Sequence, residues 1–276
     1  MVTLRNGGSI ARIDRIGAYI DSLQLNGKQI LMNSPDGRET HGGCAVLIPF
    51  ANRVRNGTYV WQDRTYSLPK NDGLNSIHGL VRHEKWEYAR EDATDDNETA
   101  LKFRLASAGY PSVIEVMNTY EIGEEFFNVT TSIKNAGDNS SPLVVGFHPY
   151  FLFNGNWGLR HSEELSMLHY RDRYFPDGIM EKVDFNDDKG IQQRTLDSCF
   201  LGGGDLTFSA GNYSLKIIRR NMDYFVIYNG QFSYGRSVAI EPMTGAPDAF
   251  NNHIGVKDLA PGDTFECGFR IELVEE

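Results

Sequence analysis

Cysteine is scarce. Cys44, Cys199 and Cys267 are odd in number, far apart and free of any CxxC spacing, which argues against a disulfide framework or a zinc knuckle and for a reducing compartment. No stretch approaches the roughly 18 apolar residues of a membrane span, and the opening MVTLRNGGSIARID has no apolar export segment, so a soluble, cytoplasmic chain without a membrane partner is expected. Basic charge is also short. Twenty-seven Lys and Arg stand against 37 Asp and Glu, a formal charge of −10, with no basic run of five. A field of that sign repels nucleic acid and anionic lipid.

The familiar catalytic signatures are missing too. There is no HExxH and no GxSxG. Gly202-Gly203-Gly204 lacks the Lys-Ser/Thr that completes a phosphate loop. His78 and His83 are five apart, a spacing that places them on opposite faces of a strand. Neither a metal nor a cofactor is expected. Helical periodicity is equally rare; residues 158 to 170 come nearest, with His161 to Leu168 as a possible short helix.

What is present has a period of two. Leu101, Phe103 and Leu105 alternate with Lys102 and Arg104. Phe127, Val129, Thr131 and Ile133 do the same, and Phe265, Cys267, Phe269, Ile271 and Leu273 give the cleanest run. Such alternation marks strands with one face in a core. Asn26-Gly27 predicts a two-residue hairpin turn, and Asn56-Gly57 leads into Tyr59 and Trp61. The acidic stretches 91–98 and 184–190 fit hairpin tips better than linkers. The 276 residues therefore predict one domain, residues 1–276, of all-β class: a large antiparallel β-sandwich with little helix.

Two residues stand in unusual settings. His148 follows the apolar run Leu143 to Phe147 and precedes Pro149, and Glu241 follows Val238-Ala239-Ile240 and precedes Pro242. Proline removes a ladder donor and holds its predecessor extended, so both are expected at strand ends. A carboxylate after three apolar residues is costly to bury without a use. An imidazole and a carboxylate make an acid–base pair if they face one another. Arg53, Arg55 and Arg82 are cations among Gly, Asn and His, suited either to solvated loops or to hydroxyls, carboxylates and phosphate. Tyr150, Phe151, Trp61 and Trp86 suit a core more than a ligand platform.

Six segments in order resemble the aldose 1-epimerases, or galactose mutarotases: GGCAVLIPFANRVRNGTY (42 to 59), IHGLVR (77 to 82), GFHPYF (146 to 151), LDSCF (196 to 200), EPMTGAPDAFN (241 to 251) and LAPGDTF (259 to 265). The resemblance spans nearly the whole chain. It implies a galactose mutarotase-like β-sandwich with an open sugar cleft, and an isomerase that interconverts the α and β anomers of a free aldohexose without cofactor or metal. It further implies that His148 protonates the ring oxygen, that Glu241 accepts the C1 hydroxyl proton, and that Arg53, His78 and Asp197 hold sugar hydroxyls. Nearby carboxylates would favour imidazolium at His148. Met243 departs from the pattern, since many relatives carry Gln there. Two alternatives stay open: a hexose 6-phosphate substrate held by the arginines, or a carbohydrate-binding protein that kept the fold without turnover.

Overall fold

Period-two segments pair into two large antiparallel sheets, one of eleven strands and one of eight. The computed structural model describes residues 1–89, 96–172, 174–186, 188 and 190–274. Among them the one α-helix is the single turn Ala249–Asn252. The all-β expectation holds.

In the eleven-stranded sheet, the strands Cys44–Leu47, Gly146–Leu152, Ser237–Met243, Tyr224–Tyr228 and Asp197–Gly202 lie side by side in that order. These strands carry buried side chains on both faces. One face packs against the eight-stranded sheet: Phe147 meets Phe269 at 5.0 Å between ring centroids, and Phe151 meets Phe208 at 5.7 Å. Each fully buried aromatic of this kind contributes about 2–3 kcal/mol, so the sandwich core fixes the strands firmly. The other face carries the small separate cluster of Met32, Tyr150 and Ala239. Beside it stand the polar groups considered below.

Several local expectations are met. Asn26 and Gly27 take positive φ (44° and 77°) between Ile20–Leu25 and Lys28–Gln29. That is the geometry of a two-residue hairpin turn. Asn56 and Gly57 are likewise left-handed before Thr58–Trp61. Trp86 and Phe151 are core residues, and Trp61 is half-buried.

Other expectations are corrected. No helix covers His161 to Leu168: strands Gly158–His161 and Leu165–Tyr170 flank a turn. Leu165 and Leu168 are both buried, and a bulge lies between Leu168 and Tyr170. Register is regular from Leu165 to Leu168, so the spacing of three comes from two leucines buried on opposite faces of the strand. Of the 184–190 stretch, residues 187 and 189 lie outside the described residues; its flanking strands Pro176–Val183 and Asp197–Gly202 both pair with Leu165–Tyr170 and not with each other, so they form no hairpin. Of the 91–98 stretch, residues 91–95 lie outside the described residues. Its flanks Glu87–Tyr88 and Glu98–Leu105 are paired antiparallel.

Neither His148 nor Glu241 ends a strand. Both lie inside strands, at Gly146–Leu152 and Ser237–Met243. The ladder between these strands pairs Gly146 with Met243 and resumes at Tyr150 with Ala239. Pro149 and Pro242 fall in the interrupted stretch, where a missing N–H leaves no ladder bond unmade.

Candidate active site

The interrupted ladder explains how two residues 93 positions apart come together. Register continued from Gly146–Met243 and Tyr150–Ala239 sets His148 opposite Glu241. Alternation puts both on the face away from the sandwich core. His148 Nε2 lies 3.2 Å from Glu241 Oε1, with side-chain exposures of 6% and 2%. The same face continues through neighbouring strands: Val226 pairs with Glu241 and with Cys199, and Tyr228 pairs with Ala239 and with Asp197. Asp197 thus stands on the exposed rim of this face.

His78 arrives from a different element. The two-residue strands Arg53–Val54 and Ser76–Ile77 pair antiparallel, Arg53 with Ile77, and the His78 N–H donates to Asn52 O at 2.9 Å. His78 is left-handed (φ 63°), as is Gly79 (φ 75°). A side chain at Gly79 would put its Cβ 2.3 Å from Ile48 O, so only glycine permits the turn that aims His78 inward. The His78 ring meets His148 edge-to-face at 5.2 Å, and His148 stacks on Tyr150 at 4.8 Å. Tyr150 in turn donates its hydroxyl to Thr40 O at 2.8 Å, which fixes the surface beneath the imidazole.

Arg53 is held on two sides. Its Nε donates to Asp72 Oδ2 at 2.6 Å, and its guanidinium lies 3.8 Å from the Tyr174 ring centroid. The side chain is 14% exposed. Arg82 is also buried, its Nε donating to the His78 carbonyl at 3.0 Å. Arg55 is different: half-exposed, it pairs with Asp172 and Asp248. The three arginines therefore do not form one cluster.

Burial dominates the electrostatics. It pushes the Glu241 carboxyl well above the usual carboxylate range, with Asp197 adding and Arg53 opposing. It pushes the His148 imidazole down, with Arg82 and His41 acting in the same direction. His78 is lowered for the same reason, with His148, Arg82 and Arg53 assisting. The expectation of a resting imidazolium is thus reversed, because desolvation outweighs the attraction of the neighbouring carboxylates. The two groups lie 3.2 Å apart, and burial acts on both in the direction of the neutral form. Among the described residues, Glu241 Oε2 and the Nδ1 atoms of His148 and His78 have no hydrogen-bond partner. Buried polar atoms without partners in a native fold call for an explanation, and ligand hydroxyls supply one.

All five residues singled out from the sequence lie on or beside this face: His148 and Glu241 touch, His78 packs on His148, and the charges of Arg53 and Asp197 act on Glu241. Sequence reasoning missed Asp72 and Tyr174, which sit in loops without any pattern. Tyr150 is buried, as expected, and stands on the same face as His148, two residues away. Met243 is fully buried and meets Gly146 across the ladder, so this position packs within the protein.

Comparison with known proteins agrees with the geometry. The uncharacterised Escherichia coli protein YihR is 27% identical over 285 residues, covering 98% of this chain and 92% of that protein. An Escherichia coli aldose 1-epimerase is 24% identical over 131 residues, 46% of this chain and 36% of the relative. The crystal structure of a galactose mutarotase-like protein from Clostridium acetobutylicum superposes with a TM-score of 0.86 at 20% identity, covering 99% of this chain and 95% of that one. The aldose 1-epimerase family profile matches residues 1–272. The chain belongs to the aldose 1-epimerase family.

Proposed function

We propose that this face binds a free aldohexose of the glucose or galactose type and interconverts its α and β anomers by acid–base ring opening and reclosure. The observation that carries the proposal is the 3.2 Å contact between His148 Nε2 and Glu241 Oε1 on a polar face with unpartnered buried atoms. Opening a pyranose removes a proton from O1 and delivers one to the ring oxygen. Those two oxygens share a single carbon, so the groups serving them must be close neighbours.

The proton count follows from the burial of the pair. The productive form is imidazolium with carboxylate, reached from the neutral pair by moving one proton along the existing contact. Glu241 then takes the O1 proton while His148 protonates the ring oxygen. The pair is left neutral, the form that burial favours. Rotation about C1–C2 and closure on the other carbonyl face reverse the two transfers and give the opposite anomer. Arg53, His78 and Asp197 hold hydroxyls during the rotation. His78, kept neutral by burial, has an Nδ1 without a protein partner for such a contact.

Polarimetry on fresh α-glucose and α-galactose tests the proposal. Wild type should speed the approach to the same final rotation, and His148→Ala and Glu241→Gln should each lose roughly 10²- to 10⁴-fold in kcat/KM. The pH profile should be a bell: the pair gains a second proton on the acid side and loses its only one on the alkaline side. A wild type equal to the buffer blank, or variants within about tenfold of it, would sink the reading.

One observation favours a second reading, an anionic sugar such as a hexose 6-phosphate. Arg82 is 9% exposed, forms no ion pair among the described residues, and its charge acts on both His148 and His78. Inhibition by inorganic phosphate or sulfate would support that substrate class. Sugar binding without turnover would instead support the non-catalytic alternative.

A further inference from the structure

Beyond Met243, the chain that carries Glu241 runs through Thr244–Pro247 to Asp248, a residue with no part in the proton transfers. Asp248 is 4% exposed and left-handed (φ 61°). It grips the distant segment Arg53–Arg55 from both sides. Its N–H donates to Arg53 O at 2.8 Å, and its Oδ1 accepts the Arg55 N–H at 2.8 Å and the Asn251 side-chain amide at 2.7 Å. Its Oδ2 lies 3.5 Å from Arg55 Nε. Burial raises its carboxyl, opposed by the Arg55 contacts. A group kept buried against that penalty holds something in place.

A second route joins Asp248 to Arg53. The Arg55 guanidinium, braced by Asp248, also pairs with Asp172 at 3.2 Å and lies 4.1 Å from the Phe175 ring centroid. Between those two contacts stands Tyr174, whose ring covers the Arg53 guanidinium. Asp248 therefore acts on Arg53 through the backbone beneath it and through the aromatic ring above it.

We infer that Asp248 is a positioning residue: it sets the Arg53 guanidinium relative to Glu241, so that substrate affinity depends on it and proton transfer does not. The kinetic half of this inference rests on the proposed mutarotase activity; the structural half does not. Each half has its own readout.

The structural readout is solvent exchange of the Arg53 Nε–H, the proton bonded to Asp72, assigned by NMR from its loss in Arg53→Lys. Asp248→Ala should speed this exchange by about tenfold or more, whereas Asp248→Asn, which keeps a carbonyl acceptor, should stay within about threefold. Arg55→Ala, at a half-exposed side chain that folding tolerates, should speed exchange by a smaller factor. Unchanged exchange in Asp248→Ala overturns the inference; if that variant does not fold, unchanged exchange in Arg55→Ala does so.

The kinetic readout is the split between KM and kcat. Asp248→Ala should raise KM about tenfold with kcat within about threefold, and should add nothing to KM in an Arg53→Ala background. A matching fall in kcat, or additive effects on KM, overturns the kinetic half. An inactive wild type defeats the mutarotase reading, while the exchange measurement still decides the positioning.

Discussion

Replacing Glu241 with Gln should abolish a pH dependence of stability that the buried pair imposes. Glu241 has a raised carboxyl in the folded chain, so its contribution is complete below the unfolded value near 4.3 and is lost as pH rises through the folded value. His148 is lowered, so its contribution is present above about 6.5 and is lost as pH falls towards its folded value. With Glu241 raised and His148 lowered, the proposed resting state of the folded pair holds one proton. The unfolded pair holds about two below pH 4, one between roughly 4.5 and 6, and none above about 7.5. Stability should therefore be flat near pH 5–6 and fall on both sides, by about 1.4 kcal/mol per pH unit.

Between pH 7 and 9 the loss integrates to about 2.5 kcal/mol while the folded pair keeps its proton. In Glu241→Gln neither state holds a proton on the pair above about pH 7.5, and the alkaline slope should vanish. Urea unfolding of both proteins at half-unit pH steps measures the difference and cancels titrations elsewhere. Curves that run parallel within about 0.5 kcal/mol from pH 7 to 9 would refute the one-proton pair. So would a slope that survives the substitution.

Gly79→Ala should cost at least about 2 kcal/mol in urea unfolding, because φ is 75° there and a Cβ would fall 2.3 Å from Ile48 O. A change below about 0.5 kcal/mol would mean that the left-handed turn behind His78 is not constrained. Arg53→Lys, which gives up a planar fork braced by Asp72 and Tyr174, should raise KM for the sugar by about tenfold while kcat stays within about threefold; equal losses in both would move Arg53 from binding into the chemical step. Cys44, Cys199 and Cys267 are buried, and burial raises all three thiols. A disulfide reagent at pH 8 should thus modify none until denaturant is added. Reaction of any one in the native protein would reveal local opening.

Much of this was legible in the sequence. Alternation at Phe127–Ile133 and Phe265–Leu273 marked strands correctly, because a half-buried sheet writes its two faces into neighbouring positions. His148 and Glu241 stood out because proline and a buried carboxylate are each costly in a strand interior. What could not be read was their mutual register: it depends on which strands become neighbours and where the ladder breaks. Asp72 and Tyr174 were invisible for a related reason, and Asp248, though inside the segment 241–251, carried no sign of its role. They act from loops and from a single helical turn, where no period constrains their neighbours. The false helix at His161–Leu168 arose because Leu165 and Leu168 are buried on opposite faces of one strand, a spacing of three that imitates a helical period.

The protonation of the pair failed in the sequence reading for a deeper reason. Charge pairing can be guessed from the presence of carboxylates, but desolvation depends on burial, and burial belongs to the fold. At His148 and Glu241 the second effect wins, and the proposed chemistry turns it to use. A permanent imidazolium–carboxylate pair would be an effective start for ring opening, but the neutral pair left after the first transfer would then be unfavourable. In a dry site the pair is neutral with the closed sugar and neutral again with the open one, so ring opening leaves no separated charge behind. The same burial keeps the proton within the pair, where a 3.2 Å contact can return it for the next cycle. Arg53 and Asp197 pull Glu241 in opposite directions. Neither charge can therefore be removed without biasing the shared proton towards one partner. A variant that removes the charge of Arg53 or Asp197 should therefore move the limbs of the pH profile, whereas a charge-keeping change such as Arg53→Lys should alter sugar affinity and leave them in place.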